Sequence, residues 1–156
     1  MTRATLIRGG TLVDGTGSPR READVEVVDG KIARIGKIHE GNHEVIDARG
    51  AIVTPGFVDV HTHYDGHAMW DTSFAPTSLH GVTTLMIGNC GVGFAPCRPQ
   101  DRNMLVELME AIEDIPGPVL EKGLPWNWES FPQFMDALDK RHYDADLATQ
   151  IPHGAL

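Results

Sequence analysis

Pro55-Gly56-Phe57-Val58-Asp59-Val60-His61-Thr62-His63 is the stretch on which the fold turns. Ile52-Val53-Thr54 before it and the stretch as far as Val60 form an apolar run, the pattern of a strand buried on both faces of a parallel sheet. Successive strand residues point to opposite faces. Asp59, His61 and His63 therefore share one side, and Val58, Val60 and Thr62 the other. The two imidazoles then stand about 7 Å apart at Cα, near the C-terminal end of the strand, and both can turn to one cation. Zinc accepts such a pair, with His nitrogens at about 2.0–2.1 Å. A His-x-His alone is common; the Pro-Gly-Phe-Val-Asp before it makes this one specific.

Downstream, Val82-Thr83-Thr84-Leu85-Met86-Ile87-Gly88 reads as a second buried strand, closed by Gly88-Asn89-Cys90-Gly91-Val92-Gly93. A parallel neighbour would bring Cys90 beside the histidines. Thiolate binds zinc at about 2.3 Å, and the metal deprotonates it. A strand cysteine is usually an inert buried apolar group, but the glycine frame and the His pair favour a ligand. Gly-x-x-Gly also suggests a phosphate loop, yet the Gly-Lys-Ser/Thr ending is missing. Asp101 is placed to cap a helix over 102–113, with Met104, Leu105, Leu108, Met109 and Ile112 as its apolar stripe. Ile115-Pro116-Gly117-Pro118 ends that helix. A second helix over 130–141, capped by Ser130, presents Phe131, Phe134, Met135 and Leu138. Residues 147–151 read as a third strand. Strands alternating with helices predict a parallel α/β sheet or barrel.

Upstream, the first fifty residues read as β. Short strands are expected over 4–8, 11–13, 23–28, 31–35 and 44–48, with Asp29-Gly30 as a hairpin turn. In 23–28, Ala23, Val25 and Val27 alternate with Asp24 and Glu26. Strands at this spacing predict a small β-sandwich. The expected division is a sandwich domain over 1–50 and an α/β part over 51–156.

The chain has 156 residues, 41% of them hydrophobic, so a packed core is expected. A formal net charge of −9 argues against a nucleic-acid surface. No apolar run approaches the length of a membrane span, so no membrane partner is expected. The N-terminus lacks a leader pattern, which makes the cytoplasm the expected location. The 2 cysteines are too few for a disulfide framework.

Other polar or reactive side chains near the motif, Asp65, His67, Asp71, His80 and Cys97, read most simply as ordinary loop residues. Met104, Met109 and Met135 read as helix core. Trp126 and Trp128, two apart, could wall a substrate pocket or pack together. His153 falls at the C-terminal end of the third strand, where barrel enzymes keep their sites; substrate contact or support of the ligands would both suit it.

These residues resemble a known family. The 55–63 segment resembles the first strand motif of the amidohydrolase superfamily. Gly81-Val82-Thr83-Thr84 and Gly88-Asn89-Cys90-Gly91-Val92-Gly93-Phe94-Ala95-Pro96 look like its D-aminoacylase branch, the N-acyl-D-amino-acid deacylases. So do Leu124-Pro125-Trp126-Asn127-Trp128-Glu129-Ser130-Phe131 and Ile151-Pro152-His153-Gly154-Ala155-Leu156. The resemblance implies a small β-sandwich joined to a TIM-like (β/α)8 barrel, of which 51–156 would be the first part. It implies one or two zinc ions, with His61 and His63 as ligands and Cys90 in the role a carboxylated lysine takes elsewhere. The implied reaction is hydrolysis of the amide bond of a small-molecule N-acyl-D-amino acid. Such a barrel needs about 250 residues. The further histidine ligands and the general acid/base aspartate are therefore expected beyond Leu156, and Asp59 reads as support for the ligands. The chain alone is expected to be inactive, with the remaining barrel polypeptide or a homo-oligomer as partner. Two alternatives stand beside this. One is a hydantoinase- or dihydroorotase-like cyclic amide hydrolase, which would use lysine rather than Cys90. The other is a non-catalytic metal-binding or interaction fragment.

Overall fold

The apolar run 52–60 is not one strand in the structure, a computed structural model that describes residues 4–39 and 41–156. Ile52–Val53 pairs within the N-terminal sheet, and Phe57–Asp59 pairs within a second one. Pro55 has no N–H to give a ladder. Gly56 lies so close to Thr83 that a Cβ there would collide with its side chain. The chain accordingly divides into Met1–Pro55 and Gly56–Leu156, rather than at residue 50. Nor is the run buried on both faces: Phe57 and Val58 are 61% and 60% exposed.

In the first unit, β1 (Ala4–Leu12), β2 (Arg21–Val28), β3 (Lys31–Gly36) and β4 (Glu44–Asp47) stand in the order β3-β2-β1-β4, and β5 (Ile52–Val53) also pairs with β1. The described residues thus form one five-stranded mixed sheet where two facing sheets were expected. Two predicted strands are one, because β1 runs through Gly9-Gly10 on a bulge. Asp29 and Gly30, with φ of 48° and 78°, make the predicted hairpin turn. Alternation holds on β2: Ala23 and Val25 are buried with Leu12, and Val27 packs against them. The opposite face is polar but covered. Asp24 accepts from the backbone N–H of Gly9 and Ile38. Glu26 is buried, bound by both Arg34 nitrogens (2.6 and 2.8 Å) and by His43 Nε2 (2.7 Å).

These partners, Arg34 first and His43 next, hold the Glu26 carboxyl down from the usual 4.5 to about 2. A depressed folded value stabilises above the unfolded pKa, and that contribution is lost as pH falls through the folded one. Wild type is therefore expected to exceed Glu26→Gln in urea midpoint above pH of about 4.5, with the gap closing towards pH of about 2. A gap that stays constant on acidification would show that this ionisation contributes nothing.

The second unit is a parallel sheet, β6 (Phe57–Asp59), β7 (Val82–Ile87) and β8 (Asp146–Thr149), in the order β6-β7-β8. Helices α1 (His67–Trp70), α2 (Arg102–Glu113), α3 (Gly117–Gly123) and α4 (Phe131–Asp139) fill the connections. This is the α/β alternation read from the sequence. Leu85 and Ile87 of β7 are fully buried in a core with Phe74, Phe94, Met109 and Trp128.

The long helices lie where expected, with differences of detail. Ser130 caps α4 in a full capping box with Gln133. Asp101 does not cap α2; its carboxylate pairs with Arg98 at 2.8 Å instead. The buried face of α2 is Leu105, Val106 and Met109, while Met104 and Ile112 are exposed, as is Met135 on α4. α2 ends at Glu113, before Ile115-Pro116-Gly117-Pro118 as expected, and the same segment opens α3, with Pro116 at its N-cap and Pro118 in its first turn, which proline suits. Among the described residues no helix is long and apolar enough to cross a membrane.

Candidate metal centre

His61, His63 and Cys90 meet at the C-terminal ends of β6 and β7. Their ligand atoms all lie within 4.8 Å of one another, and they form the one such group of three among the described residues. His61 Nε2 is 3.2 Å from Cys90 Sγ. The two imidazole centroids are 5.5 Å apart and tilted by 57°. Ligand atoms on a tetrahedral zinc would be about 3.3–3.6 Å apart at ordinary bond lengths. Two imidazoles and a thiol within 4.8 Å therefore fit zinc after small side-chain rotations.

Neither histidine lies within the regular strand, which ends at Asp59. The ladder nonetheless continues one step further. Thr62, buried between the two, donates from its N–H and its hydroxyl to the Met86 carbonyl at 3.1 and 2.8 Å. The His61 N–H donates to Asp59 Oδ1 at 3.2 Å, so Asp59 supports the loop. The Nδ1 of His63 is buried without a hydrogen-bond partner, and the Glu113 carboxylate stands 3.7 Å from it.

The Cys90 turn is an unusual piece of backbone. Gly88, Cys90 and Gly91 all have left-handed φ, at 80°, 54° and 75°. Glycine adopts this freely, but an L residue such as Cys90 does so at a cost of about 1–2 kcal/mol. At Gly88 a Cβ would strike the Gln150 carbonyl, and at Gly91 the His153 ring. The glycines of Gly-Asn-Cys-Gly are thus required by the left-handed turn and by close neighbours.

Several residues around the site carry more than the sequence suggested. Asp65 lies in a turn, as expected, but is fully buried; burial pushes its carboxyl up to about 7, against a hydrogen bond from the Gly88 N–H at 2.9 Å. The alternation that joined His61 and His63 runs on to Asp65 and could have flagged it. Asn89 is buried too, and Gln150 donates to its Oδ1 at 2.7 Å; nothing in the sequence singled out either side chain. His67, which opens α1, and His80, which ends a short 3-10 turn, bind backbone carbonyls, and Asp71 caps a turn in the loop after α1. Cys97 is a buried free thiol, pushed up by burial.

His153 lies against Gly91, at the Cys90 turn. Trp126 joins an aromatic cluster with Phe94 and Trp128, both at 5.8 Å, and the Arg102 guanidinium lies over its ring at 5.3 Å.

The sequence profile of the amidohydrolase family matches residues 44–156. A D-aminoacylase from Alcaligenes xylosoxydans xylosoxydans is 34% identical over 152 residues, which is 97% of this chain and 29% of that protein. A solved D-aminoacylase structure superposes with a TM-score of 0.77 at 31% identity, over 97% of this chain and 30% of its own. N-acyl-D-glutamate deacylase from Bordetella bronchiseptica, solved with zinc and a phosphonate that mimics the tetrahedral intermediate, gives 0.73 at 34% identity, over 98% and 30%. The chain therefore spans under a third of the length of these relatives. With the family profile matching from β4 to the last residue, the chain belongs to the amidohydrolase family, in its D-aminoacylase branch.

Proposed function

We propose that this chain supplies the opening part of the zinc site of an enzyme that hydrolyses the amide bond of N-acyl-D-amino acids. The observation that carries the reading is the convergence of His61, His63 and Cys90 within 4.8 Å. In this reading those three side chains hold zinc, one ion or two. Bound zinc would supply Lewis acidity for an amide carbonyl and for water. In this reading His153, which lies against the Cys90 turn, contacts the substrate, and the half-buried Trp126 belongs to the wall of its pocket. Asp59 is engaged by the His61 N–H and takes no proton-transfer role. The exposed Phe57, Val58 and Val60 suit a face that further strands of a (β/α)8 barrel would cover. Free cysteines suit the reducing cytoplasm.

A cyclic amide hydrolase is the second reading, and the thiol at position 90 disfavours it. Residues 1–156 alone are expected to show no turnover. A chimera in which they replace the matching part of D-aminoacylase should hydrolyse N-acetyl-D-amino acids and spare the L forms. Turnover of hydantoin or dihydroorotate in preference would move the assignment to the second reading.

A further inference from the structure

The three ligands come from two loops outside the regular ladder, so something must fix the distance between those loops. We propose that Asn89 is the positioning residue that sets Cys90 against the His61 and His63 pair. The proposal rests on the zinc reading above.

Asn89 is 6% exposed and makes three of the four hydrogen bonds open to a carboxamide. Its Nδ2 donates to the Thr62 carbonyl at 3.1 Å and to the Met86 carbonyl at 2.8 Å. Its Oδ1 accepts from Gln150 Nε2 at 2.7 Å. Thr62 is the residue between the two histidines, and Cys90 is the residue after Asn89. One planar amide thus ties the ends of all three strands together. An asparagine that merely formed a turn would spend its side chain on its own backbone. Here Val92 N–H donates to the Asn89 carbonyl across the turn; one side-chain bond returns to the Met86 carbonyl of the preceding strand, and the other two reach the segments after β6 and after β8. Asp65 holds the turn from the other side through the Gly88 N–H.

The donors are what matter. Aspartate has the same shape and can still accept from Gln150, but it cannot donate, and it sets a carboxylate against two carbonyls. The test is titration of Co2+ into the metal-free, reduced protein, reading affinity and the thiolate-to-cobalt charge-transfer band, with circular dichroism as the check on folding. Groups that hold metal ligands in place typically matter by about 10–100-fold in affinity. Asn89→Asp should weaken Co2+ binding by that factor and shrink the band per bound ion, as Cys90 leaves the metal. Gln150→Ala, which only steadies the amide, should do the same to a smaller degree. In a Cys90→Ser background Asn89→Asp should change affinity by less than about threefold, since no thiolate remains to be placed.

Folded Asn89→Asp with wild-type affinity and band overturns the proposal. So does an equal loss in both backgrounds, or the collapse of Asn89→Asp and Gln150→Ala alike, which would make Asn89 a folding residue. A wild-type spectrum with no band that Cys90→Ser removes would instead overturn the zinc reading on which the proposal stands.

Discussion

Serine in place of Cys90 is expected to lower zinc affinity by about a hundredfold or more, and alanine in place of His61 to do the same. Structural zinc bound by four ligands gains about 10–16 kcal/mol at neutral pH. A quarter of that is about 3 kcal/mol, and each 1.4 kcal/mol is about tenfold. A serine hydroxyl keeps its proton under conditions in which bound thiolate does not, so it replaces Cys90 in shape and not in charge. His61 stands 3.2 Å from that thiol, so its loss removes the nearest partner as well as a ligand. Zinc content after dialysis against a chelator-buffered zinc solution is the measurement. Unchanged zinc in both variants would mean that the metal, if any, sits elsewhere.

The second large effect concerns Trp128, at 2% exposed among the most deeply buried large side chains. Its Nε1 donates to the Phe94 carbonyl at 2.6 Å, and its ring meets Phe134 edge-on at 5.0 Å. Truncation to alanine in a core that cannot collapse costs about 3–5 kcal/mol. It also leaves a buried carbonyl without its donor, worth about 1–3 kcal/mol. Since domains are stable by about 5–15 kcal/mol, Trp128→Ala should leave the second unit unfolded or barely folded at room temperature. Trp128→Phe keeps most of the volume and should lose only the smaller amount. Urea unfolding followed by circular dichroism distinguishes them. If the two variants are equally stable, the hydrogen bond and not the packing dominates. Phe94 lies four residues past Cys90, so zinc affinity should fall with stability in this pair.

Much of this was legible in the sequence because it was local. The period of α2 and the cap at Ser130 gave two helices to within a residue or two, and the His-x-His spacing with the glycine-framed Cys90 picked out the three side chains that converge within 4.8 Å. What escaped depended on neighbours far along the chain. The run 52–60 looks like one buried strand until Pro55 and Gly56 divide it between two sheets. The face of α2 was misjudged because methionine and isoleucine tolerate exposure, and only packing decides which of several apolar residues turns inward. Asp65, Asn89 and Gln150 are polar residues of common type; Asp65 and Asn89 matter because they are buried where three strand ends meet, and Gln150 because it reaches Asn89 from outside.

The loops that carry His61 and Cys90 also bear on the order in which the protein is made. His61 and Cys90 are 29 positions apart and sit at the ends of neighbouring parallel strands. Closing a loop of that length costs little more than closing a shorter one, because the entropy grows only with the logarithm of length. A nascent chain that has exposed β6 and β7 already holds both halves of the cluster, before α2, α4 or β8 has left the ribosome. Capture of a cation at that stage would tie the first two strands in register and give the later segments a finished edge to add to.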